Sequence, residues 1–217
     1  MKTLVEYINE AFISEKLKHL SSTEMGVIVF DIDDTLLRVN KDSIKIYKKK
    51  PGETEIALTT DEFAKDPDVE KHRSWFDYRD FRDPVKVYHS IISGTPLIRN
   101  LRIMDSYIDA GYDFCFLTAR SCEDVVKQAL DDFLLKRSTE GKYTKLGSAF
   151  KKTISHAVND DLKNYPGETD AEKKANILIK LCKEYDKVVF VDDDKKNIRA
   201  AKDLDLPNLK VIKAWDE

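Results

Sequence analysis

An apolar run that ends in two closely spaced carboxylates is the feature that most restricts how this chain can fold. The run occupies residues 27–30 and leads directly into Asp-Ile-Asp-Asp-Thr at residues 31–35. Such a run predicts a buried strand. Because residues i and i+2 of a strand lie on one face, Asp31 and Asp33 are expected to meet at its carboxyl end. This is the edge at which open α/β sheets bind ligands.

Two carboxylates this close repel each other unless a cation lies between them. Carboxylate oxygens are ligands that Mg²⁺ accepts, and a carboxylate can also act as a nucleophile. The Asp-x-Asp-x-Thr pattern at residues 31–35 therefore predicts a Mg²⁺ site beside a carboxylate nucleophile. The alternative interpretation is an Asp-rich turn, because Asp is common in turns and helix caps.

Two later segments repeat the arrangement of an apolar strand with polar residues at its end. They are residues 112–117, followed by Thr-Ala-Arg at 118–120, and residues 187–191, followed by Asp-Asp-Asp at 192–194. Between them, Lys173 and Lys174 lie on a predicted helix.

In this order, Asp-x-Asp-x-Thr, a strand-end Thr, a Lys and a strand-end Asp-Asp resemble the motifs of the haloacid dehalogenase-like (HAD) superfamily. The resemblance covers about residues 24–36 and 96–214. It implies a Rossmann-like HAD core, which is an α/β fold with a doubly wound, mostly parallel sheet. The alternation of predicted strands and helices along the chain indicates the same architecture.

The resemblance implies roles for the acidic residues. In the superfamily the first Asp attacks phosphorus and forms an aspartyl-phosphate, whereas the second protonates the leaving group and later activates water. Carried over, these residues are Asp31 and Asp33. The implied ligands of Mg²⁺ are Asp31, the main-chain carbonyl of Asp33, and Asp192. Asp193 would bind the ion directly or support the other ligands.

Polar residues near the other strand ends receive roles in the same way. Thr118 would hydrogen-bond a phosphoryl oxygen, with help from the main-chain N–H groups of Ala119 and Arg120. The Arg120 side chain is open to two interpretations, a substrate contact or a salt bridge, and a surface salt bridge is favoured for Arg79. Asn197 either orients the metal site or is an ordinary helix residue.

Helical periodicity favours Lys174 over Lys173 as the motif lysine. One face of the helix predicted at 170–184 carries Lys174 together with apolar residues, so this face should pack on the sheet. The Lys174 ammonium can then reach the site while its stem is buried. Lys173 lies on a flank of that face and stays open as the alternative, and both lysines could instead be solvated.

The second acid also bears on the class of reaction. Relatives that cleave carbon–halogen bonds lack it, because a halide needs no proton. The presence of Asp33 therefore implies a HAD-like phosphomonoester hydrolase, a phosphatase that acts on a nucleotide, a polynucleotide end or a small phosphorylated metabolite. A phosphotransferase would use the same residues. The alternative function is a non-enzymatic phage virion-associated or regulatory protein on a HAD fold.

A long segment interrupts the predicted core. Residues 38–95 separate the first motif from the helix that leads to the second, which is too long for a simple connection. Alternating apolar residues on both sides of Pro51-Gly52 predict a β-hairpin there. We therefore expect a core formed by residues 24–37 and 96–217, with residues 38–95 as a small cap insert over the site.

Periodicity and turn signals predict the remaining elements. A helix is expected at about 96–110, started by Pro96, and a later helix is expected to be capped by Ser121. The other expected elements are a loop at 138–151, a strand at 154–158, the helix at 170–184, a helix at 195–203 and a strand at 209–213.

Residues 1–23 are open to two interpretations. Apolar residues recur at near-helical spacing, which predicts an amphipathic helix that packs on the core. The first eleven residues also resemble the leaders of internal head proteins of large tailed phages, with Met-Lys-Thr followed by Glu-aromatic-Ile-x-Glu-Ala. Such leaders direct packaging into the capsid. A phage prohead protease would then be a partner of this chain, and the implied cut follows Glu10.

The composition narrows the partners and the compartment. A net charge of −3 with 35% charged residues provides no basic field for a long nucleic-acid footprint. Three cysteines without metal or disulfide spacing fit the reducing cytoplasm, whereas a packaging leader would imply the capsid interior. No apolar stretch reaches the ~18–20 residues of a membrane span, so no membrane partner is expected.

Overall fold

The computed structural model describes residues 25–40, 43–139, 154–160 and 162–214. The helix or leader predicted at residues 1–23 lies outside this range, as does the part of the predicted 138–151 loop that follows residue 139. None of the helices within the described ranges has the length and apolar character needed to cross a membrane.

The chain folds around a five-stranded parallel sheet. The strands of this sheet and of two smaller ones are β1 (Gly26–Phe30), β2 (Leu37–Arg38), β3 (Ile46–Lys48), β4 (Ile56–Leu58), β5 (Phe76–Asp77), β6 (Thr95–Pro96), β7 (Asp113–Thr118), β8 (Ile154–Ala157), β9 (Lys187–Asp192) and β10 (Leu209–Lys213). The large sheet has the order β10-β9-β1-β7-β8, and its neighbours are all parallel. Strand β1 lies at the centre of this sheet. The next strand of the sheet along the chain, β7, pairs with one edge of β1, and β9 pairs with the other edge. Such a reversal opens a crevice at the carboxyl ends of the strands.

Helices cover both faces of this sheet. The α-helices of the described residues are α1 (Thr60–Ala64), α2 (Pro84–Ile92), α3 (Ile98–Asp109), α4 (Glu123–Thr139), α5 (Asp170–Glu184) and α6 (Lys195–Asp203), of which α1 lies beside the small sheet instead. Alternate residues of β1 point to opposite faces. Ile28 and Phe30 join an apolar core with α3 and α4, whereas Val27 and Val29 join a second core with α5 and α6. The predicted α/β class and parallel sheet are confirmed, and the arrangement is compatible with a Rossmann-like core.

One predicted helix begins two residues late. Pro96 does not start α3, because it lies in β6 and pairs with Leu37 of β2. A proline is tolerated in so short a strand, where its missing N–H costs no central ladder bond. The elements predicted after residue 153 are confirmed to within one residue at each end.

The start of α4 also differs from the expectation. The hydroxyl of Ser121, predicted to cap this helix, instead donates to the carbonyl of Asn159 at 2.7 Å. Cys122 adopts a left-handed conformation with φ of 60°, and the helix begins at Glu123. The Glu123 N–H donates to the Asp160 carboxylate at 2.8 Å, so a side chain from the loop after β8 receives it.

The segment predicted as an insert holds a small antiparallel sheet. β3 and β4 form the hairpin predicted around Pro51-Gly52, and β5 pairs with the other edge of β3. Lys48 of β3 is buried, and its ammonium lies 2.6 Å from Asp66 and 2.8 Å from Asp68. This buried cation is therefore neutralised within the segment itself.

Helix α2, the last long element of that segment, packs into the core of the large sheet. Val87 and Ile91 are fully buried among residues of β1 and α4. The Tyr88 hydroxyl donates to the Asp132 carboxylate of α4 at 2.8 Å. This helix is therefore part of the apolar core that supports β1.

Asp80 joins the small sheet to α2. Its buried carboxylate accepts the Lys45 N–H at 3.0 Å and lies 2.7 Å from the Lys86 ammonium of α2. Because Lys45 directly precedes β3, one carboxylate holds the edge of the hairpin and the first turn of the helix together.

Candidate active site

Pairing of β1 with β9 brings the first and last acidic motifs together. Phe30 lies opposite Val191 in the parallel register, and the N–H of Asp31 donates to the carbonyl of Val191 at 3.0 Å. Asp31 and Asp192 are therefore neighbours at the carboxyl edge of the sheet. Asp31 is 5% exposed and Asp192 is fully buried.

Lys174 lies between these two carboxylates. Its ammonium is 2.7 Å from the Asp31 Oδ1 atom and 2.8 Å from the Asp192 Oδ2 atom. The residue is 2% exposed, because it belongs to the face of α5 that packs on the sheet beside Ala175 and Leu178. The helical phase inferred from the sequence is confirmed, since this face carries Lys174 into the site.

Two further donors fix Asp192. The Asn197 Nδ2 atom lies 3.2 and 3.1 Å from the two carboxylate oxygens, and the Asp194 N–H donates to Oδ1 at 2.9 Å. Asp194 itself is the N-cap of α6, since its side chain accepts the N–H of Lys196. Asn197 therefore contacts an acid of the cluster, and its role in orienting a metal site stays a prediction.

Thr35 connects the first motif to Asp193. Its hydroxyl donates to the Asp193 Oδ1 atom at 3.1 Å. Thr35 is fully buried, and its own carbonyl accepts from the Asn100 Nδ2 atom at 2.6 Å. Asn100 belongs to the buried face of α3, so a helix on the opposite side of the sheet from α5 fixes the turn after β1.

The acids of this cluster outnumber its cation, and their pKa values reflect this. Burial raises the pKa of Asp31 well above its usual value, and the charge of Lys174 only partly offsets the effect. Burial also raises the pKa of Asp193 to about 6, with the charge of Asp192 adding to it. Burial alone would lower the pKa of Lys174, but Asp31 and Asp192 outweigh it and hold that pKa above its usual value.

The donor set fits a hard divalent cation. Carboxylate oxygens of Asp31, Asp192 and Asp193 all lie within 4.8 Å of one another. Mg²⁺ takes oxygen ligands and usually retains several waters, so it needs only a few carboxylates from the protein. The excess of negative charge in a buried site further favours a divalent cation. The main-chain carbonyl of Asp33 as a ligand stays a prediction.

Asp33 is paired with Arg120. The Arg120 Nε and Nη2 atoms lie 3.0 and 2.7 Å from the two oxygens of the Asp33 carboxylate. The Arg120 side chain is 1% exposed, whereas the Asp33 side chain is 34% exposed. Of the two interpretations of Arg120, the salt bridge is therefore the one present, and it is buried at the arginine end.

The turn after β7 is attached to the loop after β8. The Thr118 hydroxyl accepts the Arg120 N–H at 3.3 Å, and the Thr118 carbonyl accepts the Val158 N–H at 2.9 Å. The Ala119 carbonyl accepts from the Asn159 Nδ2 atom at 2.7 Å. Thr118 is fully buried at the same edge of the sheet as Asp31, and its contact with a phosphoryl oxygen stays a prediction.

Lys173 lies outside the acidic cluster. Its ammonium donates to the Asn159 Oδ1 atom at 2.7 Å, and the same Asn159 amide contacts the Asp170 carboxylate at 2.9 Å. Lys173 therefore connects the start of α5 to the loop after β8 and does not contact Asp31 or Asp192. Of the two lysines, Lys174 is therefore the one that contacts Asp31 and Asp192, and its role as the motif lysine stays a prediction.

The remaining polar candidates occupy peripheral positions. Arg79 is about half exposed and pairs with Glu55, which agrees with the predicted surface salt bridge. Asp34 has a left-handed φ of 51° in the turn after β1, as expected for a turn residue. Neither residue belongs to the three-carboxylate cluster.

Three residues of the site were not assigned from the sequence. Thr35 belonged to the first motif but was given no role, although its hydroxyl holds Asp193. Asn100, which contacts Thr35, interrupts the apolar face of α3, and Ser90, which contacts Arg120, interrupts that of α2. Both residues are fully buried. A small polar residue in an apolar helical stripe was the available signal, because buried polar groups require a partner.

Neither a scan against protein-family models nor a search among curated proteins yields a match to this chain.

Proposed function

We propose that this chain is a Mg²⁺-dependent phosphomonoester hydrolase of the HAD type, with Asp31 as the nucleophile. The observation that carries the proposal is the cluster of Asp31, Lys174, Asp192 and Asp193 at the carboxyl edge of a parallel sheet. A buried cluster of acids with one lysine is costly to maintain for stability alone. Its place in the crevice of the sheet suits a reaction site.

The contacts of Asp31 support its proposed role as the nucleophile. One of its oxygens is held by Lys174 at 2.7 Å, which fixes the carboxylate and leaves the other oxygen to attack phosphorus. Attack forms the new Asp31–phosphorus bond while the ester oxygen–phosphorus bond breaks. A bound Mg²⁺ would supply the positive charge that lets a carboxylate approach a phosphate dianion.

In this proposal Asp33 is the acid and the base. In the first step its proton passes to the departing ester oxygen, so that an alcohol leaves. In the second step the Asp33 carboxylate takes a proton from water as that water attacks phosphorus. Inorganic phosphate leaves, Asp31 is regenerated, and Asp33 holds a proton again.

A substrate panel tests this function. The purified chain would be assayed for phosphate release from nucleotides, small phosphorylated metabolites, and 5′- and 3′-phosphorylated oligonucleotides, each with Mg²⁺ and with a chelator. We expect Mg²⁺-dependent release from at least one class. Release that persists at the same rate in the chelator would contradict the metal role. No release from any class, in protein that is folded by circular dichroism, would favour the non-enzymatic alternative.

Asp33→Asn is expected to lower kcat by about 10²–10⁴-fold for alkyl phosphates, because an amide cannot transfer the proton. The same change removes the counter-charge of the buried Arg120 guanidinium, so we also expect a loss of roughly 1–2 kcal/mol in the free energy of unfolding. Urea denaturation measures this loss.

Asp77→Asn provides the matched control for stability. Asp77 also pairs with an arginine, Arg79, but both side chains are about half exposed. The Arg79 Nη1 atom lies 3.5 Å from the Asp77 Oδ2 atom. We expect a change of less than about 0.5 kcal/mol. Equal losses for the two variants would mean that the Asp33–Arg120 pair is no stronger than a surface pair.

A further inference from the structure

Arg120 is a buried cation on the edge of the proposed site. It follows β7, precedes α4 and is 1% exposed, and it is the largest fully buried side chain among the residues that the structure describes. A guanidinium removed from water is tolerated only where hydrogen bonds and a counter-charge replace its hydration. The partners of Arg120 therefore indicate the role of this residue.

The guanidinium has partners on two sides. The Nε and Nη2 atoms contact both oxygens of Asp33, at 3.0 and 2.7 Å, and the Nη1 atom donates to the Ser90 hydroxyl at 2.7 Å. A planar fork that contacts both oxygens fixes the rotation of the carboxylate as well as its position. Lysine, as a point charge, cannot do this.

Ser90 is itself immobilised. It is fully buried in α2, and its hydroxyl donates to the Val87 carbonyl at 2.8 Å, so its oxygen lone pairs face Arg120 as acceptors. Helix α2 packs on α4 and is joined to the small sheet through Asp80. A connected series of contacts therefore runs from the small sheet through Ser90 and Arg120 to Asp33.

Arg120 leaves the outer part of Asp33 accessible. The Asp33 side chain is 34% exposed although both of its oxygens are hydrogen-bonded. A carboxylate has about four lone-pair sites, so the two bonds from Arg120 leave a site on each oxygen for a leaving group or for water. The contact of Arg120 with the buried side of the Asp33 carboxylate is therefore compatible with proton transfer on its exposed side.

We propose that Arg120 is a positioning residue that fixes the orientation of Asp33, and that Ser90 of α2 fixes Arg120 in turn. This inference rests on the proposed function, because Asp33 needs a defined orientation only if it transfers a proton. Arg120 itself does not touch the substrate in this scheme.

Leaving-group dependence tests the positioning role. A p-nitrophenyl ester departs without help from an acid, whereas an alkyl phosphate needs the proton from Asp33. The measured quantity is the ratio of kcat/KM for the alkyl ester to kcat/KM for the aryl ester. This parameter reports the steps up to departure of the leaving group, whereas the second step, in which Asp33 also acts, is common to both esters. We expect Arg120→Lys to lower this ratio by about tenfold or more and Ser90→Ala to lower it by about threefold, as partial losses of an acid worth 10²–10⁴-fold.

Ser93→Ala is the matched control for Ser90→Ala. Ser93 lies one turn further along, at the C-cap of the same helix, and its hydroxyl also donates to a main-chain carbonyl, that of His89 at 2.7 Å. We expect an unchanged ratio. Equal losses on both esters in the Arg120 and Ser90 variants, or a rise in KM alone, would overturn the proposal in favour of a structural or phosphate-binding role.

A stability cycle separates this inference from the proposed function. Urea denaturation of Ser90→Ala, Asp33→Asn and the double variant measures whether the two changes are coupled through Arg120. We expect a departure from additivity of about threefold or more in the unfolding equilibrium constant, and additivity would overturn the proposal. If the wild-type chain releases phosphate from no substrate class of the panel, the proposed function fails. The cycle then decides alone whether Ser90 and Arg120 fix Asp33.

Discussion

Asp31→Asn is expected to abolish turnover and to leave no covalent phosphoryl adduct on the chain. An amide is a poor nucleophile, and loss of the nucleophile lowers kcat by about 10⁴-fold or more in enzymes that form a covalent intermediate. The variant should remain folded, because Lys174 retains Asp192 at 2.8 Å and the cluster loses one of its repelling charges. Acid-quenched wild-type protein, incubated with substrate and analysed by mass spectrometry, should carry the adduct on Asp31.

Asp34→Asn is the matched control for this variant. Asp34 lies in the same turn, is exposed, and has a left-handed φ of 51° that asparagine also tolerates. We expect its kcat to remain within about twofold of the wild-type value, because Asp34 is exposed and does not belong to the three-carboxylate cluster. An adduct on any other residue, or turnover in Asp31→Asn, would remove Asp31 from the proposed role.

Lys174→Ala is expected to cause the largest loss of stability. It leaves the buried carboxylates of Asp31 and Asp192 without the cation between them, and such a change costs about 3–5 kcal/mol. Activity should fall as well, since Asp31 loses the hydrogen bond that orients it. Added Mg²⁺ should raise the thermal midpoint of this variant more than that of the wild type, because a divalent cation restores positive charge between the carboxylates.

Lys173→Ala is the matched control for Lys174→Ala. The Lys173 ammonium donates to a neutral amide oxygen of Asn159, so its removal strands no buried charge. We expect a loss of about 1 kcal/mol or less, and activity closer to wild type than that of Lys174→Ala. The reverse order of the two variants would show that Lys174 is not the lysine on which the site depends.

The local part of the site could be predicted from the sequence. The apolar runs that precede Asp31, Thr118 and Asp192 are strand signals contained within a few residues each. Parallel pairing then places their carboxyl ends at one edge without any knowledge of distant contacts. The choice of Lys174 followed from helical periodicity alone, since only one face of α5 can pack on the sheet.

The partners of these residues could not be predicted in the same way. Asp33 and Arg120 are 87 positions apart in the chain, and Arg120 and Ser90 are 30 apart. No local pattern specifies which carboxylate a buried guanidinium will meet. Ser121 shows the same limit, because its local sequence favours a helix cap, whereas the Asn159 carbonyl brought in by β8 takes its hydroxyl.

The extent of the insert shows how packing overrides an estimate based on segment length. Residues 38–95 were separated from the core because they interrupt it, and their hairpin does form a sheet of its own. Helix α2 nevertheless contributes Val87 and Ile91 to the core around β1. The apolar face of α2 can be recognised in the sequence, but the sequence does not indicate which element packs against that face.

The position of Lys174 has a consequence for how the protein matures. Without a cation between them, the carboxylates of Asp31, Asp192 and Asp193 would repel one another where their strands end. Here one positive charge is encoded in the chain and arrives with α5 as that helix docks. If the site binds a divalent ion, as proposed, the chain can complete its core before that ion is present, because Lys174 already supplies a positive charge between Asp31 and Asp192.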